Sequence, residues 1–101
     1  MKIFHKFNAK RTIVDRIKFA SKKEANHYLE NKLREKNGEL IFFLRQVPFY
    51  LPGGVKYVCD FQEFCSDGTV HFVEAKGVKT PLYIAKKKMV EALYPVTIEE
   101  I

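Results

Sequence analysis

Several things this sequence lacks narrow the reading before any motif is considered. Nowhere do about eighteen apolar residues run together, so no membrane-spanning helix is expected and no membrane partner with it. The segment from Met1 to Arg11 has no apolar stretch suited to a signal peptide, which points to a cytoplasmic location. Cysteine is scarce: Cys59 and Cys65 fall in one apparent strand, about 20 Å apart along it, too far to bridge. Without a C-x-x-C spacing or a histidine set to join them, they exclude an ordinary structural zinc site and are expected to be core thiols. The five glycines form no phosphate-cradling loop, so no nucleotide cofactor is expected. No serine or cysteine stands in a pattern that supports nucleophilic hydrolysis. Internal repeats and low-complexity tracts are missing too.

What remains is a chain of 101 residues, 47% hydrophobic and 14% aromatic, enough to bury the core of one domain and too little for two. Charged residues make up 30%, with a net charge of +6 that is unevenly spread. Residues 1–23 hold Lys2, Lys6, Lys10, Arg11, Arg16, Lys18, Lys22 and Lys23 against Asp15 alone, whereas the other 78 residues are close to neutral. A basic arm interleaved with Phe4, Phe7 and Phe19 has the character of a phosphate-tracking surface: cations release counterions from a nucleic acid and aromatic rings stack on bases. The alternative is a solvated terminal segment.

Along the chain, residues 12–19 read as one or two short β pieces, and Ser21-Lys22-Lys23-Glu24 forms a capping box that opens a helix reaching about Lys36. Ala25, Tyr28, Leu29 and Leu33 fall on one face of that helix, and Asn37-Gly38 supplies a left-handed stop. Glu39 to Tyr50, Tyr57 to Cys65 and Thr69 to Gly77 read as three strands, divided by Pro52-Gly53-Gly54 and Ser66-Asp67-Gly68. Thr80-Pro81 caps a second helix that runs to about Tyr94, Pro95 stops it, and Val96 to Ile101 suits a last strand. The expectation is a single α/β or α+β domain: a basic N-terminal arm over residues 1–18, then a core over 19–101 of helix, three strands, helix and strand around a central mixed sheet.

The hairpin carries the chemistry. A three-residue loop built from a type I turn and a left-handed Gly68 pairs Cys65 with Thr69, and counting outward then sets Asp60 opposite Glu74. Cβ atoms of directly opposed residues lie about 5 Å apart, so the two carboxylates must share a proton or be bridged by a cation. Mg²⁺ takes one or two carboxylates and keeps other positions for water and phosphate oxygens, and the Ala75 carbonyl could add a protein ligand. Lys76, two residues beyond Glu74 on the same face, could orient water or offset charge growing on a phosphate. The competing account is a structural salt bridge in which Lys76 neutralises both acids. His71 falls opposite Glu63 on the far face, as a cross-strand pair rather than a general base, while His5 and His27 have no partner at a recognisable spacing.

Asp60 followed by Glu74-Ala75-Lys76 on the next strand resembles the motif of the PD-(D/E)XK nuclease superfamily, which includes restriction endonucleases and Holliday-junction resolvases. The chain is most similar to small phage-encoded nucleases of that superfamily, from Phe19-Ala20-Ser21-Lys22-Lys23-Glu24-Ala25 to the C-terminus, about four fifths of its length. The resemblance implies a restriction-endonuclease-like core. It also implies a Mg²⁺-dependent DNA endonuclease, with Mn²⁺ as a substitute, acting on branched or recombination DNA in a phage-infected bacterial cytoplasm. Asp60 and Glu74 would be its metal ligands and Lys76 its catalytic lysine. Cys59 stands where the family name has Pro.

Glu24 resembles the first-helix acid that often completes such a metal site, yet it is also the third position of the capping box, and one conformation would exclude the other. Gln46 resembles a first-strand polar residue near these sites; as an edge-strand glutamine it would instead bond to backbone. Lys2, Lys6, Lys10, Arg11, Lys22, Lys86, Lys87 and Lys88 are candidate DNA contacts, the last three spanning nearly a turn of the second helix and otherwise forming a solvated face. A domain this small cannot surround a duplex, so cutting both strands calls for a homodimer. A non-catalytic DNA-binding module of phage recombination or packaging is the alternative function, and a protein-interaction factor with an incidental acidic pair is a third.

Overall fold

A computed structural model describes residues 12–75 and 78–101. Strands β1 (Thr12–Val14) and β2 (Ile17–Phe19) form a small antiparallel hairpin whose two-residue turn holds Asp15 and Arg16 at φ 52° and 66°. Positive φ at both central residues is the mirror-image turn that matches strand twist. Helix α1 (Lys22–Lys36) starts where expected: the Ser21 hydroxyl accepts the Glu24 N–H at 3.0 Å. It stops at Asn37, with Gly38 at φ 80°.

The long strands β3 (Leu40–Leu51) and β4 (Val55–Cys65) are joined by a 3-10 turn over Pro52–Gly54. Strand β5 (Val70–Glu74) follows, then helix α2 (Pro81–Leu93), whose Thr80 hydroxyl accepts the Tyr83 N–H, and the short strand β6 (Ile98–Glu100). The sheet order is β3-β4-β5-β6, antiparallel except for the parallel β5–β6 pair. The fold is therefore α+β, a mixed sheet with two helices, preceded by the β1–β2 hairpin. Strand β5 begins one residue later than expected and ends at Glu74, and Lys76 and Gly77 lie outside the described residues. No helix among the described residues is long and apolar enough to cross a membrane.

Two apolar clusters hold the sheet. Phe19, Ala25, Tyr28, Phe61 and Val73 pack under α1, joined by Val14 and Ile17 of the small hairpin, while Tyr57, Cys59, Phe49, Tyr83, Val90 and Ile98 pack under α2. Fully burying a phenylalanine such as Phe19 or Phe61 stabilises by about 2 kcal/mol. Every second residue of β4, from Tyr57 to Cys65, is buried, yet Tyr57 and Cys59 belong to α2's cluster and Phe61 to α1's. Strand twist turns the same face from one helix to the other near Asp60. Both cysteines are buried free thiols. Burial and the charge of Glu74 push the Cys59 thiol up to about 12, which leaves it protonated and unreactive.

The expected apolar face of α1 is corrected. Leu29 and Leu33 are 47% and 57% exposed, and the buried residues are Glu24, Ala25, His27, Tyr28 and Asn31. The cause is a polar group inside the sheet. Glu63 of β4, 3% exposed, accepts from His27 Nε2 at 2.6 Å, Asn31 Nδ2 at 2.8 Å and Arg34 Nη1 at 2.9 Å. Burial alone would raise its carboxyl, but these three donors outweigh it and hold it down at about 2. His27 thus has an acid partner that spacing did not reveal. His71 does stand opposite Glu63 in the backbone register, but its ring turns to Glu99 at 2.6 Å and Thr69 at 3.1 Å, so the expected cross-strand side-chain pair is not made.

Candidate functional site

The hairpin register places Asp60 at the end of the β4–β5 ladder. Cys65 N–H donates to Thr69 C=O, Gly68 is left-handed at φ 90°, and the pairs continue through Glu63–His71 to Phe61–Val73. Asp60 and Glu74 are next in that count. Their carboxylates are tied crosswise to the backbone: Asp60 Oδ2 accepts the Ala75 N–H at 2.9 Å, and Glu74 Oε1 accepts the Asp60 N–H at 3.3 Å. Asp60 is partly exposed, whereas Glu74 is 1% exposed.

A second donor holds Glu74. The Tyr57 hydroxyl donates to Glu74 Oε1 at 2.6 Å. Burial first, and then this bond and the Glu74 charge, raise the Tyr57 hydroxyl far above its ordinary value and keep it a donor. An aromatic residue on a strand reads in sequence as core, so nothing marked Tyr57 beforehand.

From β3, Gln46 reaches into the same place. Its Nε2 donates to Asp60 Oδ1 at 3.3 Å and to Glu24 Oε2 at 3.0 Å, so one amide joins carboxylates from α1 and β4. Gln46 does lie on the edge strand, but its side chain serves these acids and not the backbone. Its own φ is 54°, the left-handed region that a non-glycine residue enters at a cost of about 1–2 kcal/mol. Such outliers collect where surrounding structure imposes them, often at functional sites.

The two carboxylate oxygens of Glu24 turn to different partners. Oε1 accepts the Ala20 N–H at 3.3 Å, just outside the helix start, while Oε2 meets Gln46 and, at 3.4 Å, Arg45 Nη2. One conformation thus bonds back toward the helix start through Oε1 and across to β3 through Oε2. Burial, then repulsion from Asp60, raises the Glu24 carboxyl, offset in part by Ala20 and Arg45. Arg45 was not singled out in the sequence. Its guanidinium lies 4.4 Å from the centre of the Phe19 ring and its buried Nε makes no hydrogen bond.

Glu24, Gln46, Asp60, Glu74 and the Ala75 N–H are thus brought together. The other described candidates are not part of this cluster. Lys22 is exposed in the first turn of α1, Lys86 Nζ donates to the Lys56 carbonyl at 3.2 Å, Lys87 pairs with Glu91 at 3.4 Å, and Lys88 is exposed. Lys76, Lys2, Lys6, Lys10 and Arg11 lie outside the described residues.

Among the described residues, no three His, Cys, Asp or Glu side chains form a ready-made metal cage. Carboxylate oxygens are the donors a hard cation would take. Mg²⁺ needs one or two protein carboxylates, and here carboxylate oxygens of Glu24 and Asp60 converge on one amide nitrogen while repelling each other. A divalent ion held by Asp60 and Glu74, with Glu24 beside it, would relieve that repulsion.

A protein-family model described as "Protein of unknown function (DUF1064)" matches residues 4–99. No curated protein and no solved structure matches the chain.

Proposed function

The chain belongs to the DUF1064 family, and for this member we propose a Mg²⁺-dependent DNA endonuclease of the PD-(D/E)XK type, which hydrolyses phosphodiester bonds and accepts Mn²⁺ in place of Mg²⁺. The observation that carries this reading is the cluster of three carboxylates from α1, β4 and β5, two of them joined by Gln46 and two tied crosswise through the backbone. Burial and the neighbouring Asp60 raise the Glu24 carboxyl even with Arg45 at 3.4 Å, and a bound cation would relieve that crowding. The order of helix, three strands, helix and strand also agrees with the restriction-endonuclease-like core expected from Asp60 and Glu74-Ala75-Lys76.

In this reading Asp60 and Glu74 bind the ion, Glu24 supports it from α1, and Gln46 holds Glu24 and Asp60 in place. When bound, Mg²⁺ supplies acidified water and charge stabilisation at the phosphate. Tyr57 orients Glu74 through its hydroxyl. Lys76 offsets charge on the phosphate, and the basic arm of Lys2, Lys6, Lys10 and Arg11 adds affinity for the DNA backbone without selecting sequence. Branched or recombination DNA is the proposed substrate, a homodimer the proposed assembly for two-strand cutting, and the cytoplasm of a phage-infected bacterium the proposed setting.

The test is incubation of purified protein with linear, single-stranded and four-way-junction DNA in Mg²⁺, Mn²⁺ or EDTA. Cleavage in either metal and none in EDTA is expected. Tight binding without cleavage under every condition would overturn the enzyme reading in favour of a DNA-binding module.

A further inference from the structure

A cleft of about 310 Å³ opens beside the N-terminus of α2, and it shares a wall with the acidic cluster. That wall is Tyr57, whose hydroxyl is bonded to Glu74. Tyr83, 6.2 Å from it between ring centres, forms the facing surface together with Val58 and Leu82. Lys56, Lys86 and Thr80 form the polar part. The volume is at the lower end of ligand pockets and suits part of a single strand, not a duplex.

The two lysines differ from their neighbours. Lys79 is paired with Glu100 at 3.0 Å and Lys87 with Glu91 at 3.4 Å, whereas among the described residues neither Lys56 nor Lys86 pairs with a carboxylate. Lys86 spends one ammonium donor on the Lys56 carbonyl, which fixes it across the cleft and leaves two N–H groups to offer. The end of α2 adds to this. Pro81 has no N–H and the Tyr83 N–H is taken by the Thr80 hydroxyl, so the Leu82 N–H remains at the positive end of a 13-residue helix. Glu100, the acid that accepts from the Tyr83 hydroxyl, is already neutralised by Lys79.

We infer that this cleft binds a phosphodiester of the DNA strand adjacent to the one presented to Asp60 and Glu74. Lys56, Lys86 and the Leu82 N–H take the phosphate, and the tyrosine rings, Val58 and Leu82 take the sugar and base. The inference rests on the nuclease reading and names the part of the chain that sets where a strand lies relative to the carboxylates. Two ammonium groups over aromatic walls suit a phosphate joined to a flat apolar group better than a free inorganic anion.

The experiment compares wild type with Lys56→Ala/Lys86→Ala, with Lys86→Gln, which keeps a hydrogen-bond donor and loses the charge, and with Lys32→Ala/Lys36→Ala, which removes two exposed charges from α1. Binding to single-stranded DNA is measured across a salt series in EDTA, cleavage under single turnover in Mg²⁺, and folding by thermal melting. The cleft variants should melt like wild type, lose about 1 unit of the slope of log K against log salt, and cleave about tenfold more slowly at an unchanged Mg²⁺ requirement. The α1 variant should lose none of the cleavage rate, and added inorganic phosphate should not displace the DNA. Cleft variants with wild-type slope and rate, an equal loss in the α1 variant, or displacement by phosphate would overturn the inference while leaving the nuclease reading standing. A wild type that neither binds nor cuts DNA would overturn that reading itself.

Discussion

Asp60 and Glu74 hold each other through the backbone: the Asp60 N–H donates to Glu74 Oε1, and the Asp60 carboxylate accepts from Ala75, the residue after Glu74. Two acids on neighbouring strands are thereby fixed in one orientation at the end of the β4–β5 ladder. The bonds hold the two acids close, an arrangement that a divalent cation would favour.

Tyr57→Phe isolates the positioning of Glu74, since it removes only the hydroxyl that donates to Oε1. Loss of one buried hydrogen bond to a charged group costs about 1–3 kcal/mol, so the melting temperature should fall modestly. Residues that orient metal ligands typically change metal affinity by about 10-fold to 100-fold. A Mg²⁺ titration of cleavage should show a raised midpoint with a nearly unchanged plateau. An unchanged midpoint would reduce Tyr57 to a packing residue.

Gln46 separates strain from function. Alanine at φ 54° keeps the backbone cost, whereas glycine does not, so Gln46→Gly should be more stable than Gln46→Ala by about 1 kcal/mol in urea unfolding. Both lose the amide that joins Glu24 to Asp60 and should show the same reduced cleavage. Full activity in Gln46→Gly would remove the side chain from the site.

Glu63 governs acid stability. Its carboxyl is held at about 2 in the fold against an ordinary 4.5, so its contribution is complete above 4.5 and is lost as pH falls toward 2. Glu63→Gln should destabilise by about 1–3 kcal/mol at neutral pH, because His27, Asn31 and Arg34 lose the carboxylate that accepts from all three. Urea unfolding at pH 7 and pH 3 should show the wild-type advantage shrinking at the lower pH. A gap that stays constant would mean that the loss is packing alone.

The turn and cap chemistry made much of this fold legible in advance. Ser66-Asp67-Gly68 has one low-strain solution, and from it the Asp60–Glu74 register follows by counting. Ser21, Gly38 and Thr80 mark helix ends by local hydrogen bonding and backbone conformation alone. What escaped depends on partners far apart in sequence. Apolar periodicity assigned Leu29 and Leu33 to the buried face of α1, but Glu63, 36 residues after His27, draws the polar His27 and Asn31 inward instead. Gln46's left-handed backbone is likewise invisible, because nothing about glutamine signals it. The separate partners of Glu24's two oxygens could not be read without their positions.

The most direct measurement of the central claim is single-turnover cleavage of DNA at saturating Mg²⁺ by wild type, Asp60→Asn, Glu74→Gln and Lys76→Ala, with DNA binding followed in parallel. Removing one preorganised charged group typically costs a factor of about 10² or more in rate. Each variant should therefore cleave at least about a hundredfold more slowly while binding DNA about as well as wild type. Asp60→Asn or Glu74→Gln cleaving at the wild-type rate would contradict the account.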